Sequence, residues 1–234
     1  MADLRHIDTW IFDLDNTLYS AECRLFAQID ARMAEFIERT LSIEPAEARR
    51  LQKAYYVQYG TTMSGLMREH SVSPNDFLSY VHDIDLSAIK ADDHLRAAIS
   101  ELPGKRYIFT NGSSEHAENV SKALGVDDLF HDMFDIRAAE YTPKPHRATY
   151  EKFVQYFDIF AENAVMFEDI AQNLKAPKDL GMTTVLVASD AQWLDDEPRE
   201  KRPARPGETE EHIDYATTAL SEFLSGVQTS VRQN

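Results

Sequence analysis

Three short apolar runs each stop at a polar residue: Trp10-Ile11-Phe12 before Asp13, Tyr107-Ile108-Phe109 before Thr110, and Val165-Met166-Phe167 before Glu168. Apolar runs without alternation are the pattern of strands buried on both faces. A further strand is predicted at Thr183 to Val187, and a last strand and helix around Tyr215 to Leu224. Between the strands lie amphipathic stretches, Glu115 to Leu124 and His146 to Phe157, with the spacing of helices that bury one face. Alternating strands and helices predict an α/β domain with a parallel sheet, in which sites form outside the carboxyl ends of the strands. The three polar ends should therefore meet in one crevice.

The stretch from Thr17 to about Asp92 is too long for a simple crossover and reads as helical, with candidate helices at Leu25 to Leu41, Pro45 to Gln58 and Met63 to Glu69. It is expected to be an all-α insertion over residues 19–86, a helical cap, with the α/β core formed by 1–18 and 87–234. Its hinges would lie near Tyr19 and near Leu86 to Asp92. After Ala188 a polar, proline-containing stretch runs through Gly207 and Glu211 and reads as a solvated loop whose charges face water.

Composition narrows the function classes. The 234 residues are 43% hydrophobic, enough to bury a core, and contain no apolar run long enough to span a bilayer. The start is polar where a secretory segment would be apolar, so a cytoplasmic location is expected. One cysteine, Cys23, suits a reducing compartment and is given no role. The net charge of −16, from 24 basic and 40 acidic residues, argues against nucleic acid polymers and acidic membranes as partners. A small phosphorylated substrate is compatible with that charge if a metal, a lysine or backbone N–H groups offset the field locally.

Asp13 and Asp15 lie two apart at the end of an apolar strand, so the pleat directs both carboxylates to one side. Packing gains nothing from this, and like charges so close need a cation to ionise together. A metal site with a nucleophile and an acid/base is one reading; an Asp-rich turn or helix cap is the other. Lys144 before Pro145 reads alone as a solvated lysine. Asn173, four residues after Asp169, either orients a loop or caps a helix.

In order along the chain, Asp13-Leu14-Asp15-Asn16-Thr17, Thr110-Asn111-Gly112, Lys144-Pro145 and Glu168-Asp169 resemble the four motifs of the haloacid dehalogenase-like hydrolase superfamily. The resemblance covers nearly the whole chain and implies a Rossmann-like core. Within that family the aspartate-x-aspartate form performs phosphoryl transfer, and dehalogenases lack the second aspartate. The resemblance thus implies that Asp13 attacks phosphorus to form a phosphoaspartate and that Asp15 protonates the departing alkoxide, then takes a proton from water. It implies Mg²⁺ held by Asp13, the Asp15 backbone carbonyl and Asp169, with Glu168 touching the metal or supporting its ligands. Thr110 and the N–H groups of Asn111 and Gly112 would hold phosphoryl oxygens, Lys144 would offset the charge, and Leu14 is placed beside the substrate.

A narrower resemblance, to pyrimidine 5′-nucleotidases, rests on Leu18-Tyr19, on Tyr55-Tyr56-Val57-Gln58-Tyr59-Gly60-Thr61-Thr62, and on Thr142-Pro143-Lys144-Pro145-His146. It implies nucleoside monophosphates such as UMP or CMP as substrates, with tyrosines such as Tyr56 and Tyr59 able to stack a base. Tyr55 and Tyr59 are also spaced as a helix packing face, and Arg68, His70 and His82 read as surface or satisfied core groups. The core motifs alone do not separate a nucleotidase from a sugar-phosphate phosphatase or a phosphomutase of the β-phosphoglucomutase kind. A non-catalytic binding module on the same fold is the alternative from another class. Oligomeric state is not legible.

Overall fold

A computed structural model of the chain describes residues 2–196 and 202–229. It divides into two compact units, Met1–Cys23 with Ile89–Asn234, and Arg24–Ala88.

The first unit is built on six strands, β1 (Thr9–Phe12), β2 (Lys105–Phe109), β3 (Asp132–Phe134), β4 (Ala164–Glu168), β5 (Thr183–Val187) and β6 (Tyr215–Thr217). They form one sheet in the order β3-β2-β1-β4-β5-β6, every neighbouring pair parallel. This is the expected α/β architecture. Successive strands step outward from β1 in one direction, and after β3 the chain returns to the other side of β1 to lay down β4 to β6. The order therefore reverses between β1 and β4, which is where parallel sheets open a crevice at their carboxyl ends.

The apolar runs form the centre because nothing in them needs water. Trp10, Ile11 and Phe12 in β1 and Val165, Met166 and Phe167 in β4 are fully buried. Phe12 stacks on Phe167 with ring centroids 4.7 Å apart, and the one interior polar atom of this group, the Trp10 indole N–H, donates to the Pro103 carbonyl at 2.7 Å. β2 enters beside β1 through Gly104, whose φ is +77° and where a side-chain carbon would lie 2.0 Å from the Asp8 carbonyl oxygen. Only glycine permits that approach, which sets Lys105 N–H on Asp8 O at 2.8 Å and starts the register.

Four helices make up the second unit, α1 (Leu25–Leu41), α2 (Pro45–Tyr59), α3 (Thr62–His70) and α4 (Pro74–Val81). Three match predicted helices to within one residue at each end. The fourth is additional: Ser73 accepts the Asp76 N–H as N-cap and Pro74 occupies the first turn, a start signal that the pattern of apolar residues alone does not raise. Inside this unit Asp30 collects Gln52, Arg49 and Lys53, and Phe36 packs edge-on against Phe77.

The α/β unit carries α5 (Asp93–Ser100), α6 (Ser114–Leu124), α7 (Arg147–Phe157), α8 (Lys175–Asp179) and α9 (Leu220–Gly226). α5 occupies ground next to the expected hinge; Asp92 caps it by accepting the Leu95 N–H at 2.9 Å. β3 also escapes the apolar pattern, because three residues with one buried side chain leave no periodic trace. The loop after Ala188 differs from the solvated segment expected there. Residues 197–201 of that stretch lie outside the described residues, but Arg202, Pro203 and Ala204 are buried. Ala204 N–H donates to the Asp169 carbonyl at 2.8 Å, and the Arg202 guanidinium is paired with Glu208 at 3.0 Å. Among the described residues no helix is long and apolar enough to cross a membrane.

Candidate active site

Asp13 stands one residue past β1, its N–H continuing the ladder by donating to the Phe167 carbonyl at 2.9 Å. Glu168 ends β4 and Asp169 follows it. The strand-order reversal thus brings three carboxylates together: one oxygen from each of Asp13, Glu168 and Asp169 lies within 4.8 Å of the other two, and all three residues are buried. Burying ionised carboxylates side by side is unfavourable unless something positive enters with them.

Lys144 supplies one charge. Its Nζ donates to Asp13 Oδ1 at 2.6 Å, to Glu168 Oε1 at 2.7 Å and to the Phe109 carbonyl at 2.9 Å, with the side chain fully buried. Three acceptors match the three hydrogens of an ammonium. The solvated-lysine reading is excluded by this placement. Desolvation disfavours the lysine's charge, but the Asp13 and Glu168 carboxylates outweigh it and hold its pKa above the ordinary value.

One ammonium does not balance three carboxylates. Burial pushes the Asp13 carboxyl up, to about 7; Lys144 opposes this, and Glu168 and Asp15 add to it. Burial, then the Glu168 and Asp13 charges, likewise raise Asp169 well above the usual carboxylate range. Excess negative charge in a closed, oxygen-lined place is the electrostatic signature of a site for a hard cation, and these donors fit one.

The three acids are not equivalent. Glu168 Oε1 already receives Lys144 Nζ and Asn173 Nδ2, both at 2.7 Å, and Oε2 receives the Ile170 N–H at 3.0 Å. Glu168 thereby orients the lysine and its own loop. Asn173 is drawn into the same network by its side chain, so it orients the loop instead of capping a helix.

Thr110 follows β2 and is buried; its Oγ1 accepts the Gly112 N–H at 2.9 Å. That N–H, expected to face a phosphoryl oxygen, is thus held by the threonine hydroxyl. The Asn111 side chain clasps the backbone of Lys144, accepting its N–H at 2.8 Å and donating to its carbonyl at 3.2 Å, which ties the second motif to the third. The Leu14 side chain is fully buried, so any substrate contact there would come from its backbone. In the helical unit, Tyr55 is buried with its hydroxyl 2.6 Å from His70 Nε2, which favours packing for Tyr55, while His70 is exposed as a surface group; Tyr59 donates to Glu69 at 2.5 Å, and Tyr56 is half-buried.

Two neighbours of Asp15 carry no sequence signal for their role. Tyr19, which reads along the chain as a hinge position and as part of the Leu18-Tyr19 resemblance, donates its hydroxyl to Asp15 Oδ1 at 2.6 Å, and His116, on the first turn of α6, sets Nε2 2.9 Å from the same oxygen. Burial, then the Asp15 charge, hold the Tyr19 phenol well above its usual pKa, so it stays a donor. His116 lies 101 residues from Asp15 and looks in the sequence like any histidine on an amphipathic helix.

The parallel sheet carries this cluster of carboxylates at the carboxyl ends of its first and fourth strands, the switch point at which α/β proteins of this class bind their ligands. The family model described as haloacid dehalogenase-like hydrolase matches residues 7–181, and the chain belongs to that family. A curated relative, Phosphate metabolism protein 8 of Saccharomyces cerevisiae, is 29% identical over 196 residues, 76% of this chain and 60% of its own length. The chain thus spans under two thirds of that relative. Among solved structures, CbbY from Rhodobacter sphaeroides in complex with phosphate superposes with a TM-score of 0.61 at 16% identity, covering 94% of this chain and 97% of that one. L-2-haloacid dehalogenase from Xanthobacter autotrophicus, with chloropropionic acid covalently bound, has a TM-score of 0.57 at 16% identity and the same coverages. One fold serves different chemistries, so the activity has to be argued from the residues.

Proposed function

We propose that this chain is a Mg²⁺-dependent phosphomonoesterase that works through a phosphoaspartyl intermediate on Asp13 and acts on pyrimidine nucleoside monophosphates. The observation that carries the reading is the placement of Asp13 against Lys144 at 2.6 Å within the buried carboxylate cluster, with a second aspartate, Asp15, two residues on. A carboxylate nucleophile alone suits either family chemistry. A second carboxylate held by its own hydrogen bonds adds an acid/base, which expulsion of an alkoxide requires and expulsion of a halide does not.

Asp13 attacks phosphorus as the bond to the alkoxide breaks, and Asp15 gives its hydrogen to the departing oxygen. Water then attacks phosphorus, Asp15 takes the water's hydrogen, and the Asp13 carboxylate leaves. Lys144 holds Asp13 and offsets charge on the phosphoryl group; the Thr110 hydroxyl, which receives the Gly112 N–H, and the Asn111 backbone N–H hold its oxygens. Mg²⁺, held by Asp13, Asp169 and the Asp15 backbone carbonyl, supplies Lewis-acid charge neutralisation when bound. Glu168 supports this shell and the lysine. The relative named for phosphate metabolism and the phosphate-bound structural neighbour support a phosphate ester as the substrate. The pyrimidine preference rests on the narrower resemblance, with Arg24–Ala88 as a substrate-selecting cap and Tyr56 and Tyr59 as candidate base contacts. A cytoplasmic location belongs to the same proposal.

The test is phosphate release with Mg²⁺ from UMP, CMP, dTMP, AMP, GMP, a hexose phosphate and p-nitrophenyl phosphate, with Asp13→Asn as blank. Preference for the pyrimidine monophosphates, absent in the blank, is expected. Preference for the hexose phosphate would retain the mechanism and reject the substrate. No metal-dependent turnover of any ester would favour a binding module.

A further inference from the structure

We infer that residues 202–212 form a brace that fixes the metal-binding loop, with Arg202, Glu208 and His212 as positioning residues for Asp169. The inference rests on Asp169 being a Mg²⁺ ligand in the proposed reaction. Its physical ground is that the brace bonds the loop backbone at two points: the Ala204 N–H donates to the Asp169 carbonyl at 2.8 Å, and His212 Nε2 lies 2.7 Å from the Ala171 carbonyl. A carbonyl only accepts, so Nε2 carries the hydrogen of that bond. The carbonyl between them, of Ile170, accepts the Asn173 N–H at 2.9 Å. Three successive carbonyls of the loop are thus engaged, the outer two by the brace.

The brace is rooted at β5 twice. The Ala204 carbonyl accepts the Ser189 N–H at 2.8 Å, just past that strand, and the His212 carbonyl accepts Thr184 Oγ1 at 2.6 Å from within it. Between these roots, one ion pair holds Ala204 from both sides. Arg202 donates through Nη1 to the Pro203 carbonyl at 2.8 Å and binds both oxygens of Glu208, at 3.2 and 3.0 Å. Glu208 Oε2 also accepts the Arg205 N–H at 2.9 Å. Desolvating a guanidinium is unfavourable, yet Arg202 is buried in a segment whose charges read along the chain as facing water. The space between brace and loop is not filled: a cavity of about 310 Å³ opens there, with Ala171, Gln172, Lys175, Arg202 and His212 among its lining residues. On this side hydrogen bonds, not side-chain packing, span the gap.

What the brace sets is the place of the Asp169 carboxylate. Mg²⁺ demands near-octahedral geometry at about 2.0–2.1 Å, whereas Ca²⁺ tolerates longer and less regular contacts. A loop whose carbonyls are pinned to the sheet presents its carboxylate in one position, which suits the stricter ion. The other side of the loop is fixed separately, by Glu168 on the Ile170 N–H and by the Tyr150 hydroxyl on the Asn173 carbonyl at 2.7 Å. Loss of the brace should therefore shift the loop without unfolding it, and Mg²⁺ affinity should suffer first.

The test is calorimetric titration of the whole protein with Mg²⁺ and, separately, with Ca²⁺, for wild type, Arg202→Leu, His212→Leu and His212→Gln. Groups that hold a metal ligand in place are typically worth about 10–100-fold in affinity, and the brace acts one step further out, through the backbone. Each leucine variant should therefore weaken Mg²⁺ binding about tenfold and Ca²⁺ binding clearly less. His212→Gln, which keeps an amide donor for the Ala171 carbonyl, should recover most of the Mg²⁺ affinity. With p-nitrophenyl phosphate, the Mg²⁺ concentration for half-maximal rate should rise by the same factor, while KM for the ester at saturating Mg²⁺ stays at the wild-type value. Unchanged Mg²⁺ affinity in both leucine variants overturns the inference and leaves the phosphatase reading standing. An equal loss for both ions is general damage to the fold and also overturns it. A wild type that binds no Mg²⁺ overturns both readings.

Discussion

Replacing Lys144 with methionine keeps the unbranched apolar stem, one atom shorter, and removes the charge. Lys144 holds three acceptors, Asp13 Oδ1 at 2.6 Å, Glu168 Oε1 at 2.7 Å and the Phe109 carbonyl at 2.9 Å, all enclosed. Removing one partner from a buried ion pair leaves uncompensated charge and costs about 3–5 kcal/mol, with the orphaned carbonyl inside that figure. The cost depends on pH in a definite sense. Asp13 already has its folded-state pKa raised, to about 7, and loss of the lysine raises it further. A carboxyl with a raised folded pKa favours the folded state only while it is protonated in both states. Its destabilising effect begins as pH rises past the unfolded value near 4 and levels off once the folded group ionises. The variant's deficit should therefore be smallest near pH 4, where Asp13 is protonated in the folded protein, and reach about 3–5 kcal/mol at pH 8. Both tryptophans, Trp10 and Trp193, lie in the α/β unit, so urea unfolding followed by tryptophan fluorescence from pH 4 to 8 reports on that unit. Equal stability at pH 8 would refute the reasoning, as would a deficit that is largest at pH 4.

Asp169→Asn removes a carboxylate whose ionisation burial opposes. In EDTA the variant should be at least as stable as wild type at pH 8, the difference shrinking as pH falls through about 4 and vanishing below it, where the unfolded carboxyl is also protonated. Saturating Mg²⁺ should stabilise wild type by about 2.7 kcal/mol at a hundred times its dissociation constant, and the variant far less; equal stabilisation of both in thermal melts would remove Asp169 from the metal shell. In the helical unit, an added Cβ at Gly65 would lie 2.4 Å from Cγ of Tyr55. Gly65→Ala should therefore destabilise that unit by about 1–3 kcal/mol through overpacking, seen as earlier loss of helical circular dichroism, and an unchanged melt would show that the ring moves aside at no cost.

Much of the site is legible in the amino-acid sequence. Asp13, Thr110 and Glu168 announce themselves because a polar residue closing an apolar strand breaks the packing pattern for a reason that packing does not supply, and in a parallel sheet such ends converge. The three longer helices of Arg24–Ala88 are equally visible, since each repeats its apolar positions over several turns. α4, α5 and β3 are not; the first two have eight residues each and the third has three, and windows so short carry little periodic signal.

What the chain pattern does not contain is who meets whom. Local periodicity says that β1 and β4 are buried strands, but only the sheet order makes them neighbours and so places Glu168 and Asp169 beside Asp13. Lys144 reads alone as a solvated lysine until the fold encloses it between carboxylates 131 and 24 residues distant in sequence. Asn173 admits two readings, and its bond to Glu168 decides between them. His116 carries no local mark at all, because what distinguishes it is a single hydrogen bond across 101 residues. Residue chemistry and strand-end position are written along the chain. Partnership between distant side chains exists only once the backbone has crossed and returned.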